Sequence, residues 1–428
     1  MTSRQEMESD AERHSGRPPI KSARLALACL LLVNVLSFVD RKLPFILIEQ
    51  IRIDLDLSDA EIGLLAGVTF SLIYATAGIP LARAADRFSR KWIIIRAVVF
   101  WSLCTAVGGA AQSLWQFALA RSGLAVGEAA IHPSATSMIA DYFPQNKRRT
   151  ALSIYLLGSF LGGLVGLSLG GLLNQSISWR WVMVLFAIPG LVLGLVLAVV
   201  VHEPRRNQSN EMNHTITDNW FKALGQLLSV RAYKHILVGA AVFIFAATSL
   251  SAFLPALLMR RFDFSSGEAG VSIGLITGIG GSIGALLGGV VTDRLGDRRQ
   301  ELSLFIPAAA LLIAAPLFIL ACSVQQVWIT LAVLPFASVL EGVYLGPVFA
   351  VAQNLATART RALAVAVLNF AMYGIGGALG PFTTGWISDQ FKVFVGTQSL
   401  QFALSIVCLA FFWSAFHFWR AGRLVRQP

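Results

Sequence analysis

The sequence predicts an all-α membrane protein of twelve transmembrane helices, arranged as two pseudo-symmetric six-helix bundles. Three observations predict it. First, the 428 residues are 56% hydrophobic and only 13% charged, about half the charge of an average soluble domain. Second, the apolar residues form long blocks broken by short polar loops. Blocks such as 236–258 and 302–322 are apolar on every side, which suits membrane helices and not the alternating strands of a barrel. Third, three sequence features recur in the same order in the two halves of the chain.

Taken in order, residues 1–22 are polar, lack the apolar core of a signal sequence, and read as a flexible cytoplasmic tail. A first bundle, 23–201, holds spans at 24–48, 60–82, 92–112, 115–141, 150–174 and 179–201. The longest polar stretch, 202–234, is a linker. Its end, 219–230, reads as a short amphipathic helix at the membrane surface, with Trp220, Leu224, Leu227 and Leu228 on one side. A second bundle, 235–420, holds spans at 235–259, 268–291, 301–321, 326–354, 361–388 and 399–419, and 421–428 is a second tail. With this assignment 25 of the 34 Lys and Arg lie on the side of the termini and five on the other. That positive-inside bias places both termini in the cytoplasm of a plasma membrane, the inner membrane if the source is bacterial. The net charge of +11 therefore reports orientation, and a nucleic-acid partner is not expected.

The repeats are specific. Asp86-Arg87-Phe88-Ser89-Arg90-Lys91 follows span two, and Asp293-Arg294-Leu295-Gly296-Asp297-Arg298-Arg299 follows span eight, 207 residues later. Gly162, Gly166, Gly170 and Gly171 line span five as Gly376, Gly380 and Gly385 line span eleven; such stripes let helices approach closely. Pro133 in span four matches Pro347 in span ten. Parallel repeats of this kind bind substrate near the midplane between the halves.

These loops resemble the loop motif of the major facilitator superfamily, over about residues 22–420. Asn34, Asp40-Arg41, Gly127-Glu128-Ala129 and Ile139-Ala140-Asp141-Tyr142-Phe143-Pro144 resemble, more narrowly, the spinster family of lipid transporters. That resemblance implies alternating-access transport of a lysolipid or a phosphorylated sphingoid base, with proton coupling. An Asp-Arg in span one also occurs in anion–cation symporters, so Gly-Glu-Ala carries the narrower likeness. The span-five stripe resembles the glycine motif of facilitator antiporters, except that Leu167 stands where that motif has Pro; Pro381 keeps the Pro in span eleven.

The residues able to do chemistry are the ionisable groups inside spans, which are costly in a bilayer and mark substrate or proton paths. Arg121, Glu128 and His132 are spaced i, i+7, i+11, which stacks them on one face of an unbroken helix turning about 100° per residue. Arg121 and Glu128 are then about 10 Å apart in rise, with another charge or a substrate between them. Asp40 and Arg41 come from span one, with Arg41 near Glu128 and Asp40 near Arg121 or solvent. Lys42 reads as snorkelling to the outer interface. Glu128 has a competing structural reading as a buried ion pair locking span four to span one, and Arg41 one as a side chain snorkelling to the outer interface. Arg41, Tyr74, Glu128, Glu341, Tyr344, Asn369 and Tyr373 are candidate cavity residues. Asp86, Arg87, Arg90, Asp293, Arg294 and Arg298 are a candidate cytoplasmic gate, with the two Asp capping helices or pairing with loop Arg.

No metal-ligand cluster, nucleophile elbow or phosphate-cradling loop is present in the sequence, so an enzyme, a cofactor and a metal are not expected. The implied partners are a lipid or amphipathic small molecule, protons and membrane lipids, around a monomer. Two other readings stay open: a facilitator-type organic-anion or drug transporter, and a transporter-like membrane receptor that moves nothing.

Overall fold

Among the described residues, twelve membrane-length helical segments follow one another where the apolar blocks predict them. The structure is a computed structural model that describes residues 20–204, 220–295, 299–357 and 360–426, with the backbone alone at 20, 21, 86, 149, 220, 221, 291–293, 295 and 426. In the first half, α1 is Ile20–Asp54, α2 is 59–87, α3 is Arg90–Gly109, α4 is 114–142, α5 is Gln145–Asn174 and α6 is Trp179–Val200. The linker contributes α7, Trp220–Ser229. In the second half, α8 is Arg231–Phe262, α9 is Ser266–Leu295, α10 is Leu302–Ser323, α11 is 327–354, α12 is 361–395 and α13 is 399–426.

Ten runs among the described residues are long and apolar enough to cross a membrane. One of them, 361–425, holds both α12 and α13. The remaining crossing, α4, is divided into Leu114–Ala129 and Ile131–Tyr142. The divide has a covalent cause. Pro133 has no N–H for the preceding turn, and its ring crowds the carbonyl four residues back. Its repeat counterpart Pro347 sits in the second segment of α11, Leu345–Asn354, just past a second break after Gly342. The duplicated prolines thus make duplicated bends. Outward-facing residues such as Leu195 and Val199, 72% and 81% exposed, supply the apolar surface that lipid requires.

The glycine stripes set how closely helices meet. Gly162, Gly166 and Gly170 of α5 lie against Val35, Val39 and Leu43 of α1, and a Cβ at Gly162 would fall 2.3 Å from the Val35 carbonyl. In the second half Gly376 and Gly380 of α12 lie against Ala241 and Phe245 of α8 in the same manner. The last glycine of each stripe reaches across the halves: Gly171 meets the Ser266 carbonyl and Gly385 meets the Asp59 carbonyl.

The halves close on each other at the end that holds Asp59. The Asp389 carboxylate of α12 accepts from the N–H groups of Asp59 and Ala60 at 3.1 and 2.8 Å, a cross-half cap on the positive end of α2. Arg260 of α8 donates to both Asp59 oxygens at 2.9 and 2.8 Å and to Glu49 at 2.7 Å. Ser388 adds a bond to Asp59 at 2.7 Å. At the opposite end Ile131–Tyr142, Leu345–Asn354 and Arg361–Asn369 pack principally on helices of their own half. A cleft therefore opens at the end that carries the linker. Next to that end α7 buries Ala223 and Leu227.

Candidate translocation site

The charges of α1 and α4 meet at the apex of the cleft. Arg41 donates to Glu128 Oε2 twice, from Nε at 3.1 Å and Nη2 at 2.7 Å. The Glu128 side chain is fully buried and that of Arg41 is 15% exposed. The pair is thus closed on the acid side and reachable on the cation side. Phe38, Phe70 and Tyr74 box the guanidinium at 4.6, 4.8 and 4.7 Å from their ring centroids, an arrangement that stabilises a cation out of water. Tyr373, from the other half, meets Tyr74 edge-on at 6.3 Å. An anionic group entering the cleft would reach Arg41 between aromatic walls. Glu128 Oε1 has no hydrogen-bond partner, which leaves one oxygen available for a proton.

Asp40 points elsewhere. Trp101 Nε1 of α3 donates to its Oδ2 at 3.0 Å, and Oδ1 has no partner. The expected closeness of Asp40 to Arg121 is not a contact; the two interact only through their charges. Arg121 instead donates from Nε to the Leu65 carbonyl at 3.2 Å. The local form of α2 supplies this acceptor. Around Gly67 the helix widens into a π turn, Val68–Leu72, and nearby carbonyls accept from side chains: Leu65 from Arg121, and Thr69 from Ser122 at 3.1 Å. Such π turns recur at functional sites. A second one, Phe370–Gly377 in α12, faces it across the halves.

The break after Ala129 interrupts the helical phase, and His132 is exposed in the cleft with its ring 6.0 Å from Tyr155 of α5. Asn34 ties α1 to the same Tyr155 through its carbonyl at 2.7 Å. Lys42 does not snorkel: its Nζ donates to Ser251 Oγ of α8 at 2.5 Å, bridging the halves. Glu341 is partly exposed and feels the Lys42 charge. Asn369 is partly exposed, whereas Tyr344 is 7% exposed and packs on Phe243 at 3.8 Å, which makes it wall more than polar lining.

In the first gate loop Arg90 is fully buried. It donates to Asp141 at 2.5 Å, Ser137 at 2.9 Å, Glu203 at 2.9 Å and the Pro204 carbonyl at 3.2 Å. The partners lie in the first half and at the very start of the linker, so Arg90 ties α3, α4 and the exit of α6 together and bridges nothing across the cleft. Burial raises the Glu203 carboxyl, but bonds from Ser89 Oγ, the Lys91 N–H and Arg90 outweigh it and hold the group below its ordinary value. Arg87 and Arg294 are exposed. The Asp86 and Asp293 side chains and Arg298 lie outside the described residues. Sequence reasoning missed Trp101, Phe38, Phe70, Glu203 and the Glu49–Arg260–Asp59 latch. Only the latch had a usable signal, charges flanking the ends of spans.

With this geometry in hand, comparison with known proteins is decisive at the level of the family. The sequence pattern of the Major Facilitator Superfamily matches residues 30–381. The chain belongs to the Major Facilitator Superfamily. Within that superfamily it is 34% identical to an MFS-type efflux pump of Mycolicibacterium smegmatis, over 93% of this chain and 92% of that one. It is 24% identical to the sphingosine-1-phosphate transporter SPNS2 of Danio rerio, over 92% of this chain and 81% of the other. Among solved structures, a bacterial homologue of the human lysosomal transporter spinster, captured inward-facing and unoccupied, superposes with a TM-score of 0.86. It is 26% identical and covers 95% of this chain and 98% of that one. The chain is thus a multi-pass membrane transporter of the facilitator superfamily, related to the spinster and sphingosine-1-phosphate transporters, and not an enzyme.

Proposed function

We propose that this transporter moves an amphipathic lysolipid-like or sphingoid-phosphate-like substrate by alternating access, coupled to protons through Glu128 and Asp40. The observation that carries the reading is the Arg41–Glu128 pair, with its acid fully buried and its cation facing the cleft inside an aromatic box. Arg41 can neutralise one anion at a time. In the empty state that anion is Glu128. A proton on Glu128 removes the competitor and frees the guanidinium for a phosphate group, which it can bind in bidentate fashion. The acyl chain of such a substrate suits the apolar cleft. Asp40, held by Trp101 with one oxygen unpartnered, is the second proton acceptor.

The open end of the cleft faces the cytoplasm in this reading, which follows the positive-inside bias, and the protein works as a monomer in the plasma membrane. When that end closes, the loops carrying Arg87 and Arg294 come together and Asp86 and Asp293 take part in the seal. Reconstituted protein under an imposed pH gradient should move a lysophosphate lipid, with Glu128→Gln uncoupling movement from the gradient. A second reading, an efflux transporter of small organic anions or drugs, is favoured by the 34% identical efflux pump. Competition decides between them: small organic anions displace labelled lysolipid fully under the second reading and weakly under the first.

A further inference from the structure

The proposed mechanism makes no use of a histidine pair in the second half. His235 of α8 and His417 of α13 meet through their Nδ1 atoms at 2.9 Å, with ring centroids 5.0 Å apart. One ring donates to the other, so the pair ties the two helices together. Both rings are half-buried, and their surroundings are exposed, apolar and cationic. Trp413 and Phe416 flank the His417 ring at 6.0 and 5.5 Å and are 58% and 52% exposed. At about 100° per residue, Trp413, Phe416, Arg420 and Arg423 fall within an arc of about 80° on α13, and all four are exposed. On α8 the exposed residues around His235 are Arg231, Lys234 and Val238. Arg420 stands close enough for its charge to act on His235.

Depth orders these groups. The helices run antiparallel, since His235 meets His417 while Gly239 accepts from Ser414. At about 1.5 Å of rise per residue, Val238 and Trp413 lie about 4.5 and 6 Å deeper than the histidines. Lys234 and Arg420 lie about 1.5 and 4.5 Å nearer the end that carries the termini. The 32 residues of α8 span about 48 Å, against a hydrocarbon core of about 30 Å, so its ends reach headgroup depth. Its first turn holds no acid, and α13 holds none at all. Glu301, which precedes α10, meets α13 at Gly422, about 200° round the helix from Arg420.

We propose that the α8–α13 seam binds an anionic phospholipid from the leaflet on the side of the termini, separate from the translocation cleft and independent of what crosses it. The order of groups matches the order within such a lipid. Lys234 and Arg420 meet the phosphate, the histidines lie at the level of the glycerol esters, and Trp413, Phe416 and Val238 lie against the acyl chains. Loop charge alone would report orientation; here the cations and the exposed aromatic rings share one seam. Basic groups at this depth attract anionic lipids, whereas a choline headgroup brings a cation that the same residues repel.

The probe is dioleoyl phosphatidylglycerol, compared with dioleoyl phosphatidylcholine at equal mole fraction, added to the full-length protein in detergent. Phosphatidylglycerol is expected to raise Tm saturably, by about 3 °C beyond phosphatidylcholine. Glycerol 3-phosphate, which offers the phosphate without the chains, gives no rise. Lys234→Gln with Arg420→Gln abolishes the difference between the two lipids. Trp413→Ser, which keeps every charge and guards against a folding failure of that double variant, shifts the midpoint to several-fold higher phosphatidylglycerol. Arg83→Gln with Arg96→Gln, which removes the same charge from the first half, keeps the difference, and so does Arg41→Met, whose lesion lies in the cleft. Equal rises with both lipids overturn the proposal. So does a difference that survives Lys234→Gln with Arg420→Gln, an unshifted midpoint in Trp413→Ser, a difference lost in Arg41→Met or in the first-half double variant, or a rise that glycerol 3-phosphate reproduces.

Discussion

The two halves of this transporter share a scaffold and differ in chemistry. Both carry a glycine stripe that seats the fifth helix of the bundle on its first, as Gly162 does on Val35 and Gly376 on Ala241. Both bend the fourth helix beside a proline, Pro133 and Pro347. Yet Asp40, Arg41, Arg121 and Glu128 all belong to the first half, while the second offers Glu341 near the repeat position of Glu128 and no arginine partner for it among the described residues. The duplicated features set shape. The unduplicated ones carry charge, and under the proposed mechanism they make the first half the chemical half and the second the wall that rocks against it.

That asymmetry can be broken most severely at Arg41. Arg41→Met leaves Glu128 buried without its ion pair, which is worth about 3–5 kcal/mol when one partner of a buried pair is removed. We expect loss of transport and a lower Tm in detergent, with the double variant Arg41→Met, Glu128→Gln recovering Tm but not transport. A smaller effect is expected where the scaffold closes. A Cβ at Gly385 would lie 1.9 Å from the Asp59 carbonyl, so Gly385→Val should prop the latched end apart. Cysteine labelling near Asp59 should then become fast while the protein still folds. Labelling that stays slow would mean this contact does not control closure.

Glu341→Gln sharpens the comparison from the other side. It should change apparent substrate affinity less than tenfold and leave proton coupling intact, because the proposed coupling acid is on the first half. The smallest effect concerns Glu203. Its folded-state carboxyl is held below the ordinary value by Ser89, Lys91 and Arg90 in spite of burial, so its stabilising contribution is present above the unfolded-state value and is lost as pH falls through the folded-state one. Glu203→Gln should therefore lower Tm slightly at neutral pH and make no difference in acid. An equal loss at both pH values would contradict the charge-based role.

The fold was legible because lipid imposes it: apolar blocks, loop charges and repeats are chemical necessities written along the chain. The Arg41–Glu128 pair was legible too, since opposite charges buried in spans one and four have few other partners. What the sequence concealed depends on local departures from the ideal helix. The break beside Pro133 divides α4 between Glu128 and His132, although the proline itself was noticed only as a repeat marker. Arg121 found a backbone carbonyl near a π turn that no residue pattern announces. Trp101, apolar by composition, turned out to hold Asp40 through its one polar atom. Lys42 crossed to Ser251 because a long side chain on the inner face of α1 can reach α8.

The central claim is that Glu128 is the acid whose protonation releases Arg41 for substrate. It is tested most directly by measuring binding and gradient-driven uptake of a lysophosphate lipid in proteoliposomes, for the wild type and for Glu128→Gln, across pH. The account predicts that wild-type binding tightens as pH falls. The variant should bind tightly at every pH yet fail to concentrate substrate against a gradient. Uptake by Glu128→Gln that keeps the wild-type pH dependence and still follows the imposed proton gradient would contradict it.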